Sequence, residues 1–218
     1  MIGGCEGVFI TFEGGEGSGK STVCTKVFRQ IGEQGYKCWK GGEPGGTVAG
    51  SFWREQILNP ASILSPEAEL CLFLADRAQN FAEHVAPKLA EGYIVMLDRH
   101  RDSTAAYQGG GRGHDLALIE RMNDFATHNR RPDMTILLDI ESDLGLARTR
   151  HTEYGAADRM EAEDIEFHKR LRGVFLALVE AEPERFVKLD ASAPLDEVAA
   201  RALKAVQDVL ASKGVCPQ

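Results

Sequence analysis

The octapeptide Gly14-Gly15-Glu16-Gly17-Ser18-Gly19-Lys20-Ser21 constrains this chain more than any other feature. It has the spacing G-x-x-x-x-G-K-[ST], follows an apolar run from Val8 to Phe12, and opens a segment that reads as helix. In that strand-to-helix context the glycines let backbone N–H groups converge on phosphate oxygens, backed by the positive end of the helix. Lys20 is expected to bridge the β and γ phosphates of a nucleoside triphosphate, and the Ser21 hydroxyl to hold Mg²⁺. The candidate ATP site is therefore Gly14, Gly15, Glu16, Gly17, Ser18, Gly19, Lys20, Ser21 and Thr22. Such a loop serves kinases, switches and motor ATPases alike, so the remaining chemistry has to come from other residues.

Further runs rich in branched and aromatic residues lie at Ile94 to Leu97 and Met134 to Ile140, with weaker ones at Lys37 to Lys40 and Phe186 to Leu189. Between them Leu70, Phe73, Leu74, Ala78, Phe81, Val85 and Leu89 repeat at helical spacing after the start signal Ser65-Pro66-Glu67. Ser142 opens another helix, and Leu195 to Leu210 reads as a closing amphipathic one. This alternation predicts an α/β fold with a five-stranded, mostly parallel sheet covered by helices on both faces. The 218 residues, 43% of them hydrophobic, suit a single domain over 1–218, without repeats or linkers.

The net charge of −8 argues against a nucleic-acid partner, which needs a basic face to displace counterions. Small anions need only local positive charge, and arginines gather at Arg99 to Arg112 and Arg148 to Arg159. The five cysteines, Cys5, Cys24, Cys38, Cys71 and Cys216, are scattered and form no C-x-x-C pair, as expected of reduced thiols in a cytoplasmic protein. No basic leader precedes a long apolar stretch, and no segment approaches 18 uninterrupted apolar residues, so neither secretion nor membrane association is expected.

A second site is written after the strand Ile94 to Leu97. Asp98-Arg99-His100 falls at a strand end, where open α/β sheets place their crevice; the carboxylate suits Mg²⁺ through water and the guanidinium suits a phosphate. Ser103-Thr104-Ala105-Ala106-Tyr107-Gln108-Gly109-Gly110-Gly111-Arg112-Gly113 follows directly. With Glu13 to Ser21, Glu43-Pro44-Gly45-Gly46-Thr47, Phe73-Leu74-Ala75-Asp76-Arg77 and Asp158-Arg159-Met160-Glu161, these strings resemble the thymidylate kinases in order and spacing. The resemblance covers about three quarters of the chain.

It implies a P-loop nucleoside monophosphate kinase fold with a lid at about 148–160, ATP and dTMP as substrates, Mg²⁺, and a homodimer. Phe73 and Arg77, four residues apart, share a helix face, so an aromatic plane and a guanidinium lie beside one another; the family uses this pair for the thymine ring and its O4. Gln108 offers both donor and acceptor, suiting N3–H and a carbonyl. By resemblance Ser103 and Thr104 line the same pocket, Tyr107 crowds the ribose 2′ position, Glu16 faces the 3′-hydroxyl, Arg54 and Arg99 contact the dTMP phosphate, and Glu43 and Pro44 complete the acceptor site.

The acceptor is already a phosphate oxygen, so the chemistry needs positioning, charge neutralisation and exclusion of water rather than a strong base. The phosphate loop has no arginine, and the segment Arg148 to Arg159 resembles the arginine-bearing lid of the bacterial class of the family that lacks one, so the resemblance places that work in the lid. Arg150 is the candidate for approaching the transferring phosphoryl, with Arg148 and Arg159 in support, so that the catalytic set reads Lys20, Asp98, Arg99, Arg148, Arg150 and Arg159, with Ser21 and Asp98 at the metal. Two departures from the family pattern stand out. Gly42 occupies a position that is commonly arginine, with Lys40, Arg54 or Arg101 as replacements, and the lid is lengthened through His151 to Ala157. The competing readings are a kinase of the same fold acting on dUMP, dCMP or a modified deoxynucleotide, a non-kinase P-loop ATPase, and a nucleotide-binding module without catalysis. The ATPase reading leaves Phe73, Arg77 and Gln108 without a task.

Overall fold

The computed structural model describes residues 7–149 and 158–217. Its sheet has five parallel strands in the order β2-β3-β1-β4-β5: β1 (Val8–Glu13), β2 (Cys38–Gly42), β3 (Ile94–Asp98), β4 (Met134–Asp139) and β5 (Phe186–Asp190). Strand β1 is central and buried throughout, which explains why VFITFE is almost wholly apolar rather than alternating. Its one buried hydroxyl, Thr11, bonds Thr135 across to β4 at 2.8 Å. Successive side chains point to opposite faces. Val8, Ile10 and Phe12 pack with α1 (Lys20–Glu33) and α9 (Leu195–Ser212), while Phe9 packs with Val95, Leu97, Phe81, Val85 and Leu89 on the other face.

The segment read as one helix from residue 66 onward is α3 (Pro66–Asn80), a π-helical turn (Phe81–Val85) and α4 (Ala86–Ala90) in continuous succession. Ser65 caps it, accepting from the amide of Ala68, with Pro66 in the first turn. Pro87 has no amide to offer the carbonyl four residues back, and the widened turn lies just ahead of it. A second π-helical turn (Ala105–Gly111) follows the short α5 (Arg101–Thr104) and carries Tyr107 and Gln108. Its glycines admit α8 (Ile165–Ala181): a Cβ on Gly110 would lie 2.6 Å from Val174, and one on Gly111 would lie 2.3 Å from Phe167. The other helices are α2 (Val48–Leu58), α6 (Leu116–Ala126) and α7 (Ser142–Thr149). Among the described residues no helix is long and apolar enough to cross a membrane.

Candidate functional site

Register brings the site together. Phe12 of β1 pairs with Asp98 of β3, and Gly42 of β2 pairs with the same Asp98, so the phosphate loop, Asp98-Arg99 and the Glu43-Pro44 turn leave the sheet side by side. This is the crevice at the carboxyl ends of the strands where the strand order reverses. A cleft of about 530 Å³ opens there. Every acceptor residue read from the sequence lines it: Glu16, Glu43, Pro44, Arg54, Phe73, Arg77, Arg99, Ser103, Thr104, Tyr107 and Gln108, together with Lys20, Ser21 and Asp98.

The phosphate loop divides its residues. Glu16, Lys20 and Ser21 face this cleft, whereas Ser18 and Gly19 line a second cavity of about 320 Å³ with Arg148, Ala191, Ser192, Pro194 and Leu195. Thr22 is exposed and lines neither. Gly17, at φ 66°, rests directly on helix α7, where a Cβ would come within 2.0 Å of the Gly145 carbonyl. The buried Lys20 ammonium donates to the Gly15 carbonyl at 3.2 Å and lies 4.0 Å from Glu16. Burial, and next the charge of Arg99, lower its pKa.

Glu16 is a hub of contacts in the cleft. Arg99 donates to its Oε1 at 2.7 Å, and the Tyr107 hydroxyl donates to the same oxygen. Burial works to raise the Glu16 carboxyl, but Arg99, Lys20 and Tyr107 outweigh it and bring it down to about 2. Arg99 holds φ 67° and also donates to the Gly14 carbonyl and Ser103 Oγ, both at 3.3 Å. Beneath it lies Glu13, which the sequence reading did not single out. It accepts from the His100 amide at 2.8 Å and from Ser103 Oγ at 2.5 Å. Burial, then the nearby Asp102, push Glu13 up to about 8.

Elsewhere in the cleft lining Arg77 is almost fully committed. Its Nε and Nη2 reach Glu43 Oε2 at 2.9 and 2.8 Å, and Nη1 donates to Thr104 at 2.7 Å and to Asn123 at 2.6 Å. It therefore ties α3, α5, α6 and the Glu43-Pro44 turn together as well as facing the cleft. Gln108 Nε2 donates to Glu69 at 2.8 Å, and Glu69 was also missed. A signal for it existed: Glu69, Phe73 and Arg77 are spaced by four and share one face of α3.

The lid arginines separate. Arg150 lies outside the described residues. Arg148 donates to the carbonyls of Ala191 at 2.8 Å and Ser192 at 3.4 Å, which puts it in the second cavity and not in the acceptor cleft. Arg159 is drawn to the buried Glu69 at 2.6 Å and to the Ile57 carbonyl at 2.8 Å, because a buried carboxylate captures the nearest cation. It does not line the cleft, although its neighbours Asp158, Met160 and Glu161 do. Of the three replacements for the arginine missing at Gly42, Arg101 is consumed by Glu120 and Asp124 at 2.7 and 2.8 Å, Lys40 lies outside the cleft lining, and Arg54 lines it, donating to the Pro44 carbonyl at 2.8 Å.

The donor set fits Mg²⁺. Asp98 Oδ1 is buried with no hydrogen-bond partner among the described residues, and Ser21 lines the same cleft. Magnesium commonly binds through one or two carboxylates and takes its other ligands from water and phosphate. Among the described residues there is no larger cluster of acidic, histidine or cysteine side chains of the kind a metal cage needs.

The family profile described as "Thymidylate kinase" matches residues 12–202. A thymidylate kinase of Synechococcus sp. (strain JA-2-3B'a(2-13)) is 44% identical over 200 residues, covering 92% of this chain and 94% of that one. That of Protochlamydia amoebophila is 41% identical over 210 residues, covering 93% of each. Among solved structures, thymidylate kinase from Ehrlichia chaffeensis superposes with a TM-score of 0.75 at 30% identity, covering 92% of this chain and 98% of that one. A profile that runs from the end of β1 into α9, over a sheet and cleft of this geometry, places the chain in the thymidylate kinase family.

Proposed function

We propose that this chain transfers the γ-phosphoryl of ATP to dTMP, giving dTDP and ADP, as one kinase domain whose lid spans about 148–160. The observation that carries the reading is the convergence of five separated sequence segments on one cleft whose other wall is Lys20 and Ser21. The phosphate loop holds the triphosphate, with Lys20 at its β and γ phosphates. Arg148, braced by two carbonyls beside Ser18 and Gly19, forms a wall of the donor-base cavity, a role that suits its position better than contact with the transferring group. Phe73, Arg77 and Gln108 take the thymine ring. Tyr107 and Glu16 border the sugar, with Tyr107 favouring deoxyribose. Arg54 and Arg99 hold the acceptor phosphate, and Arg150 is the remaining candidate for neutralising charge on the transferring phosphoryl. Asp98 and Ser21 hold Mg²⁺, which supplies charge neutralisation at the phosphate oxygens.

The acceptor attacks with an oxygen that is already anionic, so the chain's own groups align two polyanions, offset their repulsion and keep water out. A cytoplasmic homodimer fits the family. The face between α3 and α6 supports the dimer here: it bears Phe125, 85% exposed, beside a shallow cavity lined by Cys71, Leu74, Ala78 and Met122. The test is phosphate transfer from ATP to dTMP, dUMP and dCMP with and without Mg²⁺, together with Arg150→Ala. Transfer to dTMP should be fastest and metal-dependent, and the variant should lose about 10³-fold in turnover, as removal of an arginine finger does. ATP hydrolysis that ignores the acceptor would overturn the reading.

A further inference from the structure

The buried carboxylate of Glu69 sits behind the base end of the cleft and has no part in the roles above. It is 1% exposed, yet four hydrogen-bond donors surround it. Gln108 Nε2 and Arg112 Nε reach its Oε1 at 2.8 and 3.1 Å, while Arg112 Nη2 and Arg159 Nη1 reach its Oε2 at 3.1 and 2.6 Å. Burial tends to raise its pKa, but the hydrogen bonds from Arg112 and Gln108 and the charge of Arg112 prevail and hold it below the ordinary carboxylate range. The group is therefore an anion, and an anion can only accept.

That fact settles which way the Gln108 amide faces. A glutamine amide has two ends of nearly equal shape, and only its partners decide between them. A carboxylate on one side takes the N–H end. Gln108 is 1% exposed and lines the cleft, and its Oε1 accepts no hydrogen bond from the described residues. We propose that Glu69 is a specificity-determining positioning residue: by taking the Gln108 amide nitrogen it leaves the Gln108 carbonyl oxygen for the acceptor base. The pocket then accepts a pyrimidine bearing N3–H and disfavours one whose N3 is a lone pair. Thymine and uracil carry that proton; cytosine does not, and it would set its N3 lone pair against Oε1. The thymine methyl is worth about 10-fold to 200-fold in an apolar pocket, whereas a misplaced buried hydrogen bond also leaves a polar atom unpaired and discriminates further.

The inference rests on Gln108 lying at the base, as in the proposed function, so its test separates the two. Calorimetric affinities for dTMP and dCMP are measured on the wild type, Glu69→Gln and Gln108→Leu. A glutamine at 69 can donate to Gln108 Oε1 and so releases the amide to either orientation. Glu69→Gln should narrow the dTMP-to-dCMP affinity ratio by about tenfold, the scale of one buried hydrogen bond. Loss of the Arg112 and Arg159 pairs would weaken every acceptor alike, so the ratio carries the test. An unchanged ratio in Glu69→Gln, with Gln108→Leu losing dTMP affinity, overturns the role of Glu69 alone. An unchanged dTMP affinity in Gln108→Leu removes Gln108 from the base and overturns both. Should Glu69→Gln not fold, the ¹⁵N-labelled Gln108 side-chain amide of the wild type answers the same question. One of its N–H protons should exchange slowly in the free and the dTMP-bound protein; loss of that protection on dTMP binding overturns the proposal.

Discussion

The phosphate loop and helix α7 meet backbone to backbone at Gly17 and Gly145, and a single methyl group tests that contact. A Cβ on Gly145 would lie 2.3 Å from the Glu16 carbonyl oxygen and 3.3 Å from Ile140 Cγ2, and the reciprocal Cβ on Gly17 would lie 2.0 Å from the Gly145 carbonyl. Contacts below 3.0 Å are not tolerated, so in Gly145→Ala the loop and the helix must separate by at least about 0.7 Å. Both partners are backbone, and no rotamer relieves the overlap. The displaced atoms adjoin Lys20 and Ser21, and a shift of about 1 Å at reacting groups costs on the order of 10²-fold in rate. Stability should change much less. Alanine gains about 1 kcal/mol over glycine inside a helix, against about 1–3 kcal/mol for overpacking. Gly145→Ala should therefore lose about 10²-fold in kcat/KM for ATP in a coupled ADP assay, with the denaturation midpoint shifted by less than about 2 kcal/mol equivalent. Gly173→Ala on α8 is the control. A Cβ there meets nothing within 4 Å, so it should gain about 1 kcal/mol of stability without kinetic change. Wild-type kcat and KM for ATP in Gly145→Ala would refute the claim that α7 seats the loop.

Arg148 and Glu13 carry two further outcomes. Arg148→Ala should raise the KM for ATP by about tenfold while leaving that for dTMP unchanged, as expected of one lost wall contact; a collapse of kcat at unchanged KM would return Arg148 to the transferring phosphoryl. Glu13, pushed up to about 8, stays protonated in the fold over a range in which the unfolded chain is already ionised. The folded state then holds the extra proton, so stability falls as pH rises from about 4.5 through about 8, by up to about 1.4 kcal/mol per pH unit. Glu13→Gln should flatten this loss in urea titrations between pH 5 and 8, and parallel slopes for variant and wild type would dispose of the idea.

Strands, helices and the residues that line the cleft were legible because each is specified locally. VFITFE announces a central strand by its unbroken apolar character, and Phe73 and Arg77 announce a shared face by their spacing. What stayed hidden depends on contacts across large sequence separations. Gln108 reads as a bifunctional amide, but the end it shows to the cleft is set by Glu69, 39 residues away. Arg159 reads as a lid cation, yet the same carboxylate claims it from 90 residues away, because an ionised group 1% exposed cannot be left without cations. Arg148 and Arg159 look equivalent in sequence and differ only in which acceptors the fold brings within reach: two backbone carbonyls for one, a buried anion for the other. Residue type thus foretells what a group can donate, whereas tertiary placement decides to whom, and Glu69 shows the two combined. The sequence places it on the face of Phe73 and Arg77. Its role emerges only when the π-helical turn bearing Gln108 and the segment bearing Arg159 fold over that face, the first donating to Oε1 and the second to Oε2.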